Sequence, residues 1–102
     1  MGYIPEQGDI IFLEKGRRPA FVVSNIAFNQ YTKMAIVCPI TNTDKGFPLH
    51  VSLAKGMQTT GVIMCEQVKP LDIWTRKATF FEQAPKDIIE EVVDILIGFV
   101  EI

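Results

Sequence analysis

The stretch of sequence that decides the fold runs from residue 8 to residue 38 and reads GDIIFLEKGRRPAFVVSNIAFNQYTKMAIVC. It contains three short runs rich in Ile, Val and Phe, each bounded by Gly, Pro or polar residues, at 8–13, 20–24 and 34–38. Such runs are typical of buried β-strands. Two more strands are predicted downstream, a half-exposed one at 49–53 and a fifth at 62–68. Because no helical pattern separates these runs, the sequence predicts a small antiparallel barrel or a strongly curved sheet.

The end of the chain has a different period. After Pro85, apolar residues recur at steps of three and four, and acidic residues occupy the opposite side. The apolar residues are Ile88, Ile89, Val92, Val93, Leu96 and Phe99. This pattern predicts an amphipathic helix, and Pro85 suits its first position, where a missing N–H costs no hydrogen bond. The predicted fold class is therefore mainly β (α+β), with a C-terminal α-helix.

Length and charge indicate one domain with a mildly basic body. With 102 residues and 48% hydrophobic content, we expect a single domain over residues 1–102. Residues 1–81 contain nine Lys and Arg residues and six acidic residues, whereas residues 82–102 contain one Lys and six acidic residues. The basic body permits contact with a phosphate backbone, and a solvated acidic helix face accounts for the tail.

Several other function classes lack their sequence signatures. No apolar run approaches the ~20 residues that span a bilayer, so we expect a cytoplasmic protein without membrane association. Cys38 and Cys65 lie in apolar segments and are expected to be buried free thiols. The chain has one His, no HExxH and no phosphate-binding glycine motif, so we expect neither a metal nor a cofactor.

A series of short motifs resembles one known family over nearly the whole chain. They occur in the family's order, at residues 3–12, 18–24, 39–41, 45–48, 60–62, 66–69 and 76–79. The first has a Pro and then Gly-Asp ahead of a strand, and the second is an Arg-Pro pair followed by aliphatic residues. On these motifs the chain resembles the MazF/PemK/Kid family of type II toxin endoribonucleases.

The resemblance implies a fold, an activity and partners. The fold is PemK-like, a small SH3-like β-barrel with a C-terminal helix. Members of the family are homodimers that cut single-stranded mRNA at short recognition sequences without a metal. A cognate antitoxin of the MazE/PemI type neutralises them. We therefore expect a two-fold dimer with RNA in a groove across it, and an acidic flexible antitoxin segment that competes for this groove.

Arg18 is the first candidate for catalysis. Metal-free RNA cleavage uses the substrate's 2′-hydroxyl as nucleophile, and it needs a base, an acid and donors on the phosphate. By resemblance Arg18 is the family's catalytic Arg before Pro, and Pro19 stiffens the loop that would hold its five donors. From the residues alone, a surface arginine in a turn is the alternative.

Thr41 and Glu66 are the other candidate catalytic residues, and both roles depend on the resemblance. Thr41 matches a family threonine that donates to the scissile phosphate, although a threonine capping a turn would have the same local sequence. Glu66 matches the acidic residue of the Kid-type pattern Cys-Asp-Gln and is a candidate general base. Its structural alternative is a salt bridge to Lys69 or Arg76.

Further residues are predicted to contact RNA, because single-strand recognition combines cations with aromatic platforms. They are Arg17, Lys45, Phe47, Gln67, Lys69 and Arg76. Trp74 is an alternative base platform to Phe47, and packing is the alternative role for both. The single histidine, His50, is interpreted as an ordinary strand residue despite an imidazole's usual titration near neutrality.

The chain departs from the family pattern at two places, and two other functions are alternatives. The loop at 14–18 is shorter than in the family, and Met64 replaces an arginine that Kid-type members use in catalysis. CcdB-type toxins share the fold and act by binding DNA gyrase, but they lack the Arg-Pro and Pro-x-Thr motifs. A plain SH3-like RNA- or peptide-binding domain is the third hypothesis.

Overall fold

The strands and helices are given by a computed structural model, which describes residues 2–13, 18–43 and 46–102. In chain order they are β1 (Asp9–Phe12), β2 (Pro19–Val22), α1 (Ile26–Thr32), β3 (Met34–Thr41), β4 (His50–Ser52), β5 (Val62–Met64), a 3₁₀ turn (Cys65–Gln67), β6 (Lys69–Asp72), β7 (Thr79–Gln83) and α2 (Lys86–Val100). The mainly β (α+β) class with a C-terminal helix is confirmed.

The seven strands form one antiparallel sheet in the order β4-β5-β3-β2-β1-β7. Strand β6 also pairs with β3, along the part of β3 that β5 leaves unpaired. In the part of the chain that the structure describes, the outer strands β4 and β7 do not pair with each other, so the sheet is open and not a closed barrel. Neither described helix is long and apolar enough to cross a membrane.

The prediction of one strand over residues 62–68 is wrong. β5 pairs Ile63 with Ile40, whereas β6 pairs Lys69 with Val37, a register shift of three residues along β3. The three extra residues, Cys65–Gln67, coil into the 3₁₀ turn. An apolar run contains no signal for such a shift, because the register is set by the partner strand.

Three other elements differ from the predicted pattern. Helix α1 interrupts the strands, and its N-cap is Asn25, whose side chain accepts a hydrogen bond of 2.9 Å from the Phe28 amide. Strand β7 was not predicted, and its pattern of exposed and half-buried residues explains why no apolar run marks it. Pro85 is the N-cap of α2 and not its first helical residue.

Side chains alternate between two apolar clusters on opposite faces of the sheet. The first cluster lies under α2 and contains Ile10, Phe21, Cys38, Ile63, Cys65, Ile88 and Val92. The second contains Ile11, Ala20, Val22, Val37, Leu71 and Ile73, with Tyr3, Leu13 and Ala78 packed against it. Both cysteines are buried and free, as expected. Among the described residues, none from α1 or α2 belongs to the second cluster or packs against it, so this face is the candidate for a functional site.

The Gly8-Asp9 motif is an anchor of the fold. Gly8 has a φ of +92°, and a Cβ atom there would lie 2.2 Å from Cδ1 of Ile89 on α2. The Asp9 carboxylate is buried and accepts hydrogen bonds from the Tyr3 hydroxyl, the Glu6 amide at 2.9 Å and Gln83 Nε2 at 2.5 Å. These contacts join the N-terminal segment to β1, β7 and α2, so this motif has a structural role.

Candidate functional site

A cleft of about 150 Å³ opens over the second apolar cluster. Its floor is apolar and its walls carry three cations and one amide; the lining residues are Leu13, Arg18, Pro19, Ala20, Val37, Pro39, Gln67, Lys69, Leu71 and Arg76. We call it the cationic cleft. Four of the residues proposed from sequence, Arg18, Gln67, Lys69 and Arg76, therefore meet in one place although up to 58 positions separate them.

Strand pairing explains how these side chains converge. Arg18 directly precedes β2, whose first residue Pro19 pairs with Phe12 of β1. Lys69 opens β6 directly opposite Val37, so both side chains lie on the same face of the sheet. Gln67 ends the 3₁₀ turn just before β6. The strands that line the cleft are thus β3 and the two strands that pair with it here, β2 and β6.

Arg76 is placed by a hydrogen-bonded turn after β6. The Asp72 carboxylate accepts hydrogen bonds of 3.0 Å from the backbone amides of Trp74 and Thr75. The Arg76 amide donates to the Asp72 carbonyl at 3.2 Å. The backbone hydrogen bond from Thr75 is the largest effect that lowers the pKa of Asp72, and the Arg76 charge adds to it. Asp72 therefore shapes the turn while its carboxylate stays outside the lining of the cleft.

The described residues give the cleft a positive charge. Within that part of the chain, no Asp or Glu lines the cleft. Among residues 2–13, 18–43 and 46–102, neither Arg18, Lys69 nor Arg76 forms an ion pair within 4 Å. Three cations above an apolar floor, without neutralising carboxylates, favour an anion such as phosphate.

Thr41 lies beside the cleft and not in its lining. It is the half-buried last residue of β3, and its Oγ1 accepts a hydrogen bond of 3.1 Å from the Thr43 amide, as a turn-capping threonine does. The β2–β3 register pairs Ala20 with Pro39. Thr41 follows Pro39 by two residues on β3, so its side chain lies on the side of the sheet where Pro39 lines the cleft.

Glu66 forms a second group with Phe47 and His50. Its Oε2 atom lies 3.1 Å from Nε2 of His50, and the Phe47 ring is edge-on to the imidazole at 5.3 Å between centroids. The alternative of a salt bridge to Lys69 or Arg76 is not formed. The interpretation of His50 as an ordinary strand residue missed this pairing, and no local signal in the sequence indicated it.

Met64 connects the two groups. It lies directly opposite His50 in the β4–β5 ladder. Its Sδ atom accepts a contact of 3.7 Å from Nε2 of Gln67, which lines the cationic cleft. Strand alternation also puts Thr41, Met64 and His50 on one face. The His50–Glu66 pair therefore borders the cleft across Met64.

The aromatic candidate Trp74 lies outside the cationic cleft. Arg17 and Lys45 fall outside the described residues. Trp74 is 39% exposed and lines a separate cavity of about 290 Å³, with Lys33 Nζ 5.8 Å from the centre of its ring. Within the described part of the chain, no group of three or more His, Cys, Asp or Glu side chains is arranged to hold a metal ion.

Comparisons with known proteins agree in sequence and in structure. The family described as PemK-like, MazF-like toxin of type II toxin-antitoxin system matches residues 6–100. The endoribonuclease toxin MazF of Escherichia coli strain K12 is 33% identical over 112 residues, covering 94% of this chain and 96% of the relative. Endoribonuclease PemK of Escherichia coli is 32% identical over 84 residues, covering 78% of this chain and 62% of the relative.

Solved structures give the same result. A crystal structure of MazE-MazF from Deinococcus radiodurans aligns with a TM-score of 0.91 and 33% identity, covering 98% of each chain. An endoribonuclease from a mycobacterial species aligns with a TM-score of 0.83 over 96% of this chain and 92% of that one. At 17% identity, the second similarity concerns the fold alone.

Proposed function

Because this chain belongs to the family of PemK-like, MazF-like toxins of type II toxin-antitoxin systems, we propose that it is a sequence-specific endoribonuclease that cleaves single-stranded mRNA without a metal ion. The names of the Escherichia coli relatives support the activity. The observation that carries the proposal is the cationic cleft, where Arg18, Lys69 and Arg76 converge and none of the described lining residues is a carboxylate. Because mRNA is the substrate, the site of action is the cytoplasm.

Arg18 binds the scissile phosphate. Its guanidinium presents donors in a rigid fork that fits two phosphate oxygens at once. Thr41, whose side chain lies on the cleft side of β3, donates its hydroxyl to the same phosphate. Both groups stabilise the charge that develops as the phosphorus becomes five-coordinate.

Glu66 is the general base. It accepts the proton of the 2′-hydroxyl as the 2′-oxygen attacks the phosphorus and the bond to the 5′-oxygen breaks. The leaving 5′-oxygen takes up one proton from water, and protonated Glu66 gives its proton to the hydroxide that forms, so the transfer is balanced and a cyclic phosphate remains. The position of Glu66 at the border of the cleft supports this role.

The remaining candidates hold the RNA on either side of the reacting bond. Lys69, Arg76 and Gln67 line the cleft and bind backbone phosphates and sugars. Phe47 is 46% exposed and offers a ring for a base to stack on. Arg17 and Lys45 add positive charge that attracts the RNA strand.

The protein works as a homodimer inhibited by an antitoxin. The MazE-MazF structures from Deinococcus radiodurans support a MazE/PemI-like partner. An acidic antitoxin segment fits the same positively charged cleft as RNA does, so the two compete for it.

Cleavage in EDTA tests the proposal. Single-stranded RNA should yield discrete fragments with cyclic phosphate ends, and one 2′-deoxynucleotide at a cleavage site should block that site. Arg18→Ala should slow cleavage about 100- to 1000-fold, whereas Lys55→Ala, which removes an exposed cation outside the cleft, should leave the rate unchanged. Intact RNA from folded wild-type protein would contradict the nuclease and favour a binding module.

A further inference from the structure

His50 and Glu66 form a contact that has no role in the chemistry proposed above. Nε2 of His50 lies 3.1 Å from Oε2 of Glu66, and the two residues are 16 positions apart in the chain. The exposed fraction is 9% for the His50 side chain and 27% for that of Glu66. The imidazole is thus the inner member of the pair, and the carboxylate is the member that faces solvent.

The direction of the hydrogen bond follows from the groups involved. An ionised carboxylate only accepts hydrogen bonds, so Nε2 of His50 carries the proton and donates it to Glu66. The imidazole itself is held by the start of β4 and by the edge-on Phe47 ring. A rigid donor therefore fixes one oxygen of a side chain that is otherwise free to rotate.

Glu66 has no second charged partner in the described part of the chain. Lys69 and Arg76, the cations closest to it in sequence, line the cleft and form no ion pair with it there. Its orientation consequently depends on His50, while the cations stay available to phosphate. The contact between Gln67 and Met64, which lies opposite His50, keeps the pair next to the cleft.

We infer that His50 is a positioning residue, which holds the Glu66 carboxylate at the edge of the cationic cleft in the orientation that accepts the 2′-hydroxyl proton. This inference rests on the proposed endoribonuclease function. It assigns a role to the chain's single histidine and to the strand pairing that brings His50 beside Met64.

Three substitutions at one position separate positioning from packing. The amide nitrogen of His50→Gln can occupy the place of Nε2, that of His50→Asn is too close to the backbone to reach Glu66, and His50→Leu has no donor. We expect kcat to fall about 10- to 100-fold in the Asn and Leu variants with KM nearly unchanged. Most of the activity should return in His50→Gln.

Two results would overturn the inference, once melting temperatures have shown that each variant is folded under assay conditions. One is wild-type kcat in all three variants. The other is a loss of activity in His50→Gln as large as in His50→Leu, which would indicate packing alone.

A measurement without RNA keeps this inference separate from the proposed function. Because the chain has one histidine, ¹⁵N NMR reports its imidazole without ambiguity. The Nε2 resonance should be that of a protonated donor and should shift in Glu66→Ala. An unchanged spectrum would contradict the pairing, whereas absence of RNA cleavage by the wild type would contradict only the nuclease.

Discussion

Gly61 lies against Thr41 so closely that a Cβ atom on the glycine would be 2.3 Å from the Thr41 carbonyl oxygen. Gly61 also has a φ of +112°, a conformation that residues with side chains rarely adopt. Beside it, the Thr60 hydroxyl donates to the Asn42 side chain at 2.9 Å. The segment before β5 thus fixes the end of β3. Thr41, the proposed hydrogen-bond donor to the scissile phosphate, lies at this end.

Gly61→Ala should destabilise the protein by about 2–4 kcal/mol, since it adds backbone strain and a clash with Thr41. Gly56→Ala is the matched control, because Gly56 has a φ of +91° with nothing within 4 Å of its Cβ position; it should cost about 1–2 kcal/mol. Urea unfolding measures both values. Equal losses would show that the contact with Thr41 does not constrain β3.

Tyr3→Phe should destabilise the protein at neutral pH, and the size of this loss should fall at high pH. Burial, and then the hydrogen bond to Asp9, raise the pKa of Tyr3 above its ordinary value of 10.0. Above pH 10 the unfolded chain loses a proton that the folded chain keeps, so stability falls as pH rises. Below that pH the interaction is intact, and we expect Tyr3→Phe to cost about 1 kcal/mol there.

Unfolding by urea between pH 7 and 11 tests this prediction. The difference between wild type and Tyr3→Phe should narrow above the ordinary tyrosine pKa of 10.0. Tyr31→Phe is the control, because the Tyr31 side chain is 91% exposed. A constant difference across this range would contradict the role of the Tyr3–Asp9 bond.

Glu82→Gln should lower the stability of the folded protein at neutral pH, and the loss of stability should be smaller in acid. Desolvation would raise the pKa of Glu82, but hydrogen bonds from the Thr59 side chain and from the Gln58 and Thr59 amides outweigh it and lower the pKa. The stability that Glu82 contributes is therefore complete above its ordinary pKa of 4.5 and is lost as pH falls through its folded value.

Melting temperatures from pH 7 down to pH 3 measure this effect. The wild type and Glu82→Gln should converge as the pH falls, whereas Glu101→Gln, at an exposed position near the end of the chain, should match the wild type throughout. A gap between wild type and Glu82→Gln that stays constant in acid would show that the charge is not involved.

Lys69→Ala should weaken RNA binding and make it less dependent on salt. Each phosphate contact on a single strand contributes about 0.7 to the slope of log affinity against log salt concentration. Binding of a 2′-deoxy oligonucleotide, which is not cleaved, measures this slope for wild type, Lys69→Ala and Lys55→Ala. A slope unchanged in Lys69→Ala would place the phosphate backbone outside the cationic cleft.

The sequence was informative where a role depends on a local motif. Arg18 precedes the strand residue Pro19, and Lys69 begins a strand, so their side chains reach one cleft through ordinary strand pairing. The terminal helix was predicted from its period and is present at Lys86–Val100.

The features that were missed depend on register or on short local structure. The break of the fifth predicted strand follows from a three-residue shift along β3. The pairing of His50 with Glu66 requires both that break and the alignment of β4 with β5. Helix α1 has only seven residues, too few for a period to be detected, although Asn25 is a good N-cap.

The most direct test of the central claim is a double-mutant cycle with Arg18→Ala and Thr41→Val, followed by kcat/KM for RNA cleavage in EDTA. If the guanidinium and the hydroxyl act on the same phosphate, the double variant should lose much less activity than the product of the two single losses. Losses that multiply independently would show that the two residues act on different parts of the RNA and would contradict this account.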